Sequence, residues 1–267
     1  MIKRISMAVL LIYSFALLVP KASIYAEQQA AASTPSTVIH TKHHDRPRHD
    51  PAVRSEDSLY HELVNPETTQ HHPFPHDVVL IDVGHGGIDG GTSYGDLLEK
   101  DINLAISREL FKLLRSEGYH AVLNRDADYA LSDDNRWHTS RSRHRKDLIQ
   151  RKQLSSEIPT KLVVSIHVNW GKNKSKHGGV VLHQAEGRSA MLAESIQRQL
   201  NLMHKNSHQT SVGKPFYLLN RIEVPAVIVE TGFISNAEDR GMLTSKDGQK
   251  KIANAIASGI AEYLTAL

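Results

Sequence analysis

Three short runs, residues 78–83, 162–166 and 226–229, are rich in Val, Ile and Leu and then give way abruptly to polar residues. Runs that are apolar throughout, rather than alternating, read as strands buried on both faces, the kind found in parallel sheets covered by helices. The segments between them carry a different period. Residues 99–116 place Ile102, Ala105, Ile106, Leu110, Leu113 and Leu114 on one helical face, and Gly118 stops that helix. Helices are also expected over 187–204, over 248–267, and after a polar insertion at 126–146 through about Glu157. Further strands are expected at 119–124, 179–183 and 216–219. The alternation predicts an α/β fold: a single layered domain with a twisted, mostly parallel sheet of about six strands and helices on both faces. There is no internal repeat.

That domain begins near Asp77. Residues 1–26 read as a signal peptide or N-terminal anchor: Lys3 and Arg4 precede an apolar run from Ile5 to Val19, with Ala26 at a cleavage position. Residues 27–76 read as a flexible His- and Pro-rich linker, holding six prolines and eight of the 17 histidines and no sustained period. The protein is therefore expected to be exported, acting at the cell wall or the outer face of the membrane. The chain has no cysteine, which excludes disulfides, thiolate metal sites, iron–sulfur clusters and thiol nucleophiles. Any metal must be held by His, Asp or Glu.

Ligands of open α/β sheets gather at the carboxyl ends of the strands. Three strand ends carry chemistry: DVGHGGIDGG at 82–91, SIHVN at 165–169 and VIVETGFISN at 227–236. His85 and His167 each follow a strand, and Glu99 opens the helix after the first loop. Two histidines and a carboxylate with one position open to water form a catalytic zinc ligand set. Zinc acidifies water and polarises carbonyls, as amide hydrolysis requires. Glu230 would be the general base. Taken singly, the histidines also read as hydrogen-bonded core or loop residues, Glu99 as an acid at a helix N-terminus and Glu230 as a strand-end carboxylate paired with an arginine. The Gly-rich stretch lacks both phosphate-loop and dinucleotide patterns.

The stretches DVGHGGIDGG, LLEKDINLA, VVSIHVNW, VPAVIVETGFISNAED and GIAEYL, in this order over about residues 78–265, resemble the zinc-dependent N-acetylmuramoyl-L-alanine amidases of the amidase-3 type. The resemblance implies one Zn2+ per chain on His85, Glu99 and His167, with Glu230 as catalytic residue. It implies hydrolysis of the amide between the lactyl group of N-acetylmuramic acid and L-alanine in peptidoglycan. Asn169 and Asn236 are expected to shape the substrate cleft, or to stabilise loops by hydrogen bonds. The chain departs from the family pattern at Val83, where proline is usual, and carries Thr231 at a variable position.

Residues 135–152 hold seven Lys or Arg against one Asp. The insertion around them, from Asp126 to Leu154, most resembles the matching segment of the spore-cortex amidases of the CwlD type, whose product feeds muramic δ-lactam formation in the cortex. A basic rim suits an anionic glycopeptide, and a solvated helix face explains the charge equally well. No nucleic acid partner is expected, because aromatic interleaving is absent. The expected partners are peptidoglycan and, through the N-terminus, the membrane; no motif specifies a protein activator. A competing reading, an inactive or regulatory wall-binding module on the same fold, is disfavoured by the complete set His85, Glu99, His167 and Glu230. A zinc peptidase of another specificity would usually show HExxH, which this chain lacks.

Overall fold

The structure is a computed structural model that describes residues 77–135 and 138–267. The segments at 1–26 and 27–76, expected to be a leader and a linker, lie outside the described residues. The elements run β1 Val78–Val83, β2 Ser93–Tyr94, β3 Leu97–Leu98, α1 Glu99–Ser116, β4 Ala121–Leu123, α2 Arg143–Glu157, β5 Thr160–Asn169, β6 Val180–His183, α3 Gly187–His204, β7 Ser211–Val212, β8 Ala226–Phe233, α4 Ala237–Thr244 and α5 Lys246–Thr265. Six strands form one sheet in the order β4-β1-β5-β8-β6-β7. The four strands β4, β1, β5 and β8 are parallel; β6 runs antiparallel to β8, and β7 parallel to β6.

Strand alternation sorts the side chains onto two faces. On one face Val79, Ile81, Val164, Ile166 and Val229 meet Ile106 and Leu110 of α1 and Ile196 of α3. Helix α5 lies against both of those helices and adds Ile252, Ile256 and Ile260. On the other face Val78, Leu80, Val163 and Ile228 meet Leu148 of α2 and Leu219. Full burial of each such aliphatic side chain is worth about 1.5–3 kcal/mol. Helix starts are set by local capping. Ser142 accepts from the Arg145 amide at α2, Glu186 from the Arg188 and Ser189 amides at α3, and Ser245 from the Gly248 amide at α5.

The helices expected at 99–116 and 187–204 fall on α1 and α3, and the expected six-stranded layered architecture is the observed one. One strand differs. Residues 216–219 do not extend; Leu218–Asn220 is a 3-10 turn, and Ser211–Val212 supplies the edge strand instead. A turn lets the adjacent Leu218 and Leu219 both enter the core, which a strand packed on one face would forbid. Helix α4 and the β2–β3 hairpin, each short, carried no periodic signal.

Continuing along the second face toward the strand ends, the apolar residues are replaced by Asp82, Ser165, His167 and Glu230. Asp82 is 3% exposed. It accepts hydrogen bonds from Ser165 Oγ, Asn124 Nδ2 and Arg151 Nη1, the last at 2.7 Å. Burial alone would raise its pKa, but Arg151 and Ser165 outweigh that and hold the carboxyl below its ordinary range. Replacing Arg151 with methionine leaves this carboxylate buried and unpaired. Urea melts should show a loss of about 3–5 kcal/mol, much of it recovered by adding Asp82→Asn. Because the folded pKa is depressed, this contribution is full above the unfolded value of about 4 and is lost as pH falls through the folded one. Asp82→Asn should accordingly flatten the acid limb of the stability curve.

Candidate metal centre

Beyond β1 the chain turns through Gly84 and His85, and His85 sits in the left-handed region at φ 60°. A side chain rarely adopts that conformation without neighbours that impose it. Its ring is oriented from one side: Nδ1 lies 2.8 Å from Asp89 Oδ2, and Asp89 Oδ1 accepts from the Gly91 amide at 3.1 Å. The other nitrogen, Nε2, is thereby turned toward Glu99, 3.2 Å from Oε1. A carboxylate behind a histidine is the usual support of a metal-binding imidazole.

Glu99 opens α1 with its side chain only 5% exposed. Its Oε2 accepts from the Thr92 amide at 2.7 Å, and its Oε1 from the Val168 amide at 3.0 Å. The same Oε1 stands 3.0 Å from His167 Nδ1. Two glycines make this packing feasible. A Cβ on Gly84 would lie 2.6 Å from the His167 ring, and one on Gly91, at φ 68°, would lie 2.6 Å from Glu99 Oε2. The two imidazoles meet edge to face with centroids 5.0 Å apart.

The donor nitrogens of His85 and His167 and the Glu99 carboxylate oxygen lie within 4.8 Å of one another, which suits one metal ion. Ligand atoms 2.0–2.1 Å from a tetrahedral zinc stand about 3.3 Å apart, close to the 3.0 and 3.2 Å measured from Glu99 to the two histidines. The electrostatics point the same way. Burial alone would lower the His85 pKa, yet Asp89 and Glu99 raise it to about 10. Burial alone would raise the two acids, yet the histidines win: Asp89 falls to about 2 and Glu99 far below the carboxylate range. The carboxylates that hold a proton this firmly on His85 present the same negative potential to a cation.

Glu230 is brought in by sheet register. It is paired with His167 across β5 and β8, and the neighbouring Thr231 hydroxyl donates to the His167 carbonyl at 2.8 Å. His167 and Glu230 are thus strand residues rather than residues following a strand. Burial pushes the Glu230 carboxyl up to about 7; the Glu99 charge adds to this, while His167 and His85 oppose it. Asn236 caps α4, accepting from the Glu238 and Asp239 amides, and donates to the Lys174 carbonyl. Asn169 accepts from the Trp170 amide.

Sequence reasoning passed over Asp89, although it lies within the stretch quoted above, and two arginines. Arg151, within the basic run, is 4% exposed, and Arg125, just after β4, is 1% exposed. The spacing of Asp147 and Arg151, four apart on one helix and paired at 2.6 Å, was the available signal.

Residues 79–262 match the model of the family described as N-acetylmuramoyl-L-alanine amidase, amidase-3 type. The chain is 36% identical over 194 residues to YqiI of Bacillus subtilis, covering 72% of this chain and 86% of that one. It is 29% identical to the germination-specific N-acetylmuramoyl-L-alanine amidase of the same organism, covering 72% and 82%. Among solved structures it resembles the CwlD amidase from Clostridioides difficile, described in complex with the GerS lipoprotein. The TM-score is 0.67 and the identity 32%, over 72% of this chain and all of that one.

Removing the support behind His85 tests the centre without touching a donor atom. Asp89→Ala is expected to weaken divalent-metal binding by about 10–100-fold in competition with a chromophoric chelator.

Proposed function

The chain belongs to the N-acetylmuramoyl-L-alanine amidase family, and on that premise we propose that His85, Glu99 and His167 hold a zinc ion with Glu230 beside them as general base. The reaction is hydrolysis of the amide joining N-acetylmuramic acid to L-alanine in peptidoglycan. The observation that carries the residue assignment is the convergence of three donors from three separate segments, with Glu230 in register beside His167. When bound there, zinc supplies Lewis acidity, polarising a carbonyl and acidifying water.

The protein's own groups do the rest. Asp89 holds the His85 ring with Nε2 directed into the site. Glu99 is anchored by two backbone amides, so its orientation does not depend on the ligand. Glu230 takes a proton from the attacking water and passes it to the leaving nitrogen, for which a pKa near neutrality is well matched. The two glutamates work in opposite senses because their surroundings differ: Glu99 is held as a carboxylate by its histidines, while burial makes Glu230 readily protonated. Asn169 and Asn236 shape the cleft wall through the loops they brace.

Action on peptidoglycan is extracytoplasmic, which agrees with residues 1–26 serving as an export signal or anchor and 27–76 as a spacer. Among the described residues no helix is long and apolar enough to cross a membrane. The likeness to the germination-specific amidase and to CwlD supports a place in spore-cortex maturation, upstream of muramic δ-lactam formation. The GerS complex of CwlD supports a protein partner for this chain as well.

Digestion of muropeptides with the full chain should release L-alanine amino termini, lose that activity on chelation and regain it with zinc. Glu230→Gln should keep zinc and the fold and lose about 10²–10⁴-fold in kcat. Because the working form is the carboxylate, wild-type kcat should fall as pH drops through the Glu230 pKa. A fully active Glu230→Gln would remove Glu230 from the role.

A further inference from the structure

The left-handed backbone of His85 lies against two buried arginine side chains, Arg125 and Arg151. Two peptide carbonyls flank its Cα, that of Gly84 and its own. Each is gripped by a different guanidinium: Arg125 Nη2 donates to the Gly84 carbonyl at 3.0 Å, and Arg151 Nη2 to the His85 carbonyl at 2.8 Å. The preceding carbonyl, of Val83, accepts from Arg151 Nη1 at 2.7 Å and from Arg125 Nε at 3.3 Å. Three consecutive carbonyls therefore point at guanidinium donors where a strand would have directed them alternately.

Arg125 reaches further. Its Nη2 also donates to the Lys100 carbonyl at 3.0 Å, in the first turn of α1 next to Glu99. One planar group thus ties the turn bearing His85 to the helix bearing Glu99. We infer that Arg125 and Arg151 are positioning residues that set His85 and Glu99 at metal-binding separation before any metal arrives; the inference rests on the reading of His85 and Glu99 as metal ligands.

Charge alone does not explain this arrangement. Two buried cations next to a site for a dication repel that dication, and they repel each other. A neutral residue in either place would favour the metal electrostatically. What a neutral residue or a lysine lacks is the fixed fork of donors that can hold two or three carbonyls at once. The two explanations predict opposite signs. Removal of a cation that acts only by charge strengthens metal binding, whereas removal of a positioning fork weakens it.

The test is the zinc affinity of the full chain carrying Arg125→Met or Arg125→Lys, measured by chelator competition on metal-free protein confirmed folded by its thermal melt. Both variants are expected to bind zinc about 10–100-fold more weakly than wild type. Their cobalt-loaded forms should show altered visible absorption, which a loss of global stability alone would not produce. Lysine is the informative change, because it keeps the charge and the buried stem; it also serves where methionine prevents folding. Zinc affinity in the lysine variant equal to wild type, or affinity in the methionine variant equal or tighter, overturns the inference. Failure of the wild-type chain itself to bind zinc overturns the metal-centre reading and this inference with it, so the two failures are distinguishable.

Discussion

The buried pair of Asp82 and Arg151 is the interaction on which the arrangement around the centre depends. Asp82 is the last polar step of β1 on the face covered by α2, and three donors from three other elements converge on it: Ser165 of β5, Asn124 after β4 and Arg151 of α2. Desolvating a carboxylate and a guanidinium costs several kcal/mol, and that cost is offset only where every lone pair and proton is satisfied. Here satisfaction is near complete, since Arg151 spends its remaining donors on Asp147 and on the carbonyls of Val83 and His85. The pair therefore couples sheet, helix and site-bearing turn into one unit.

Register then does what no single residue could. In a parallel sheet the strands end together, and side chains two apart share a face. Pairing β1 with β5 places Asp82 beside Ser165; pairing β5 with β8 places His167 beside Glu230. Below these positions the same face is filled by Leu80, Val163 and Ile228. The site is thus the polar end of a stripe whose lower part is core. That is why burial raises the Glu230 pKa although the side chain is only partly buried.

Much of this is legible in the sequence. The runs at 78–83, 162–166 and 226–229 are strands because they are long enough only for strands and too apolar to lie anywhere but inside. The boundaries of α1 and α3 follow from 3.6-residue periodicity and, for α1, from the stop at Gly118. Residues 216–219 misled because four consecutive apolar residues satisfy a strand and a tight turn equally. Helix α4 and the β2–β3 hairpin are held by capping at Asn236 and by pairing across a few residues, signals too short to rise above their neighbours.

The sequence by itself determined the layered α/β architecture, the strand ends at which polar residues collect, the absence of thiol chemistry and the candidate ligands His85, Glu99 and His167. These are local properties, since periodicity, residue type and motif order survive in one dimension. Only the tertiary structure decided that Glu230 stands beside His167 and that Arg125 and Arg151 are buried against three carbonyls. Those outcomes depend on pairing and burial between segments about 40 to 70 residues apart. The energy of a buried charge is set by neighbours that the chain supplies only once it has folded.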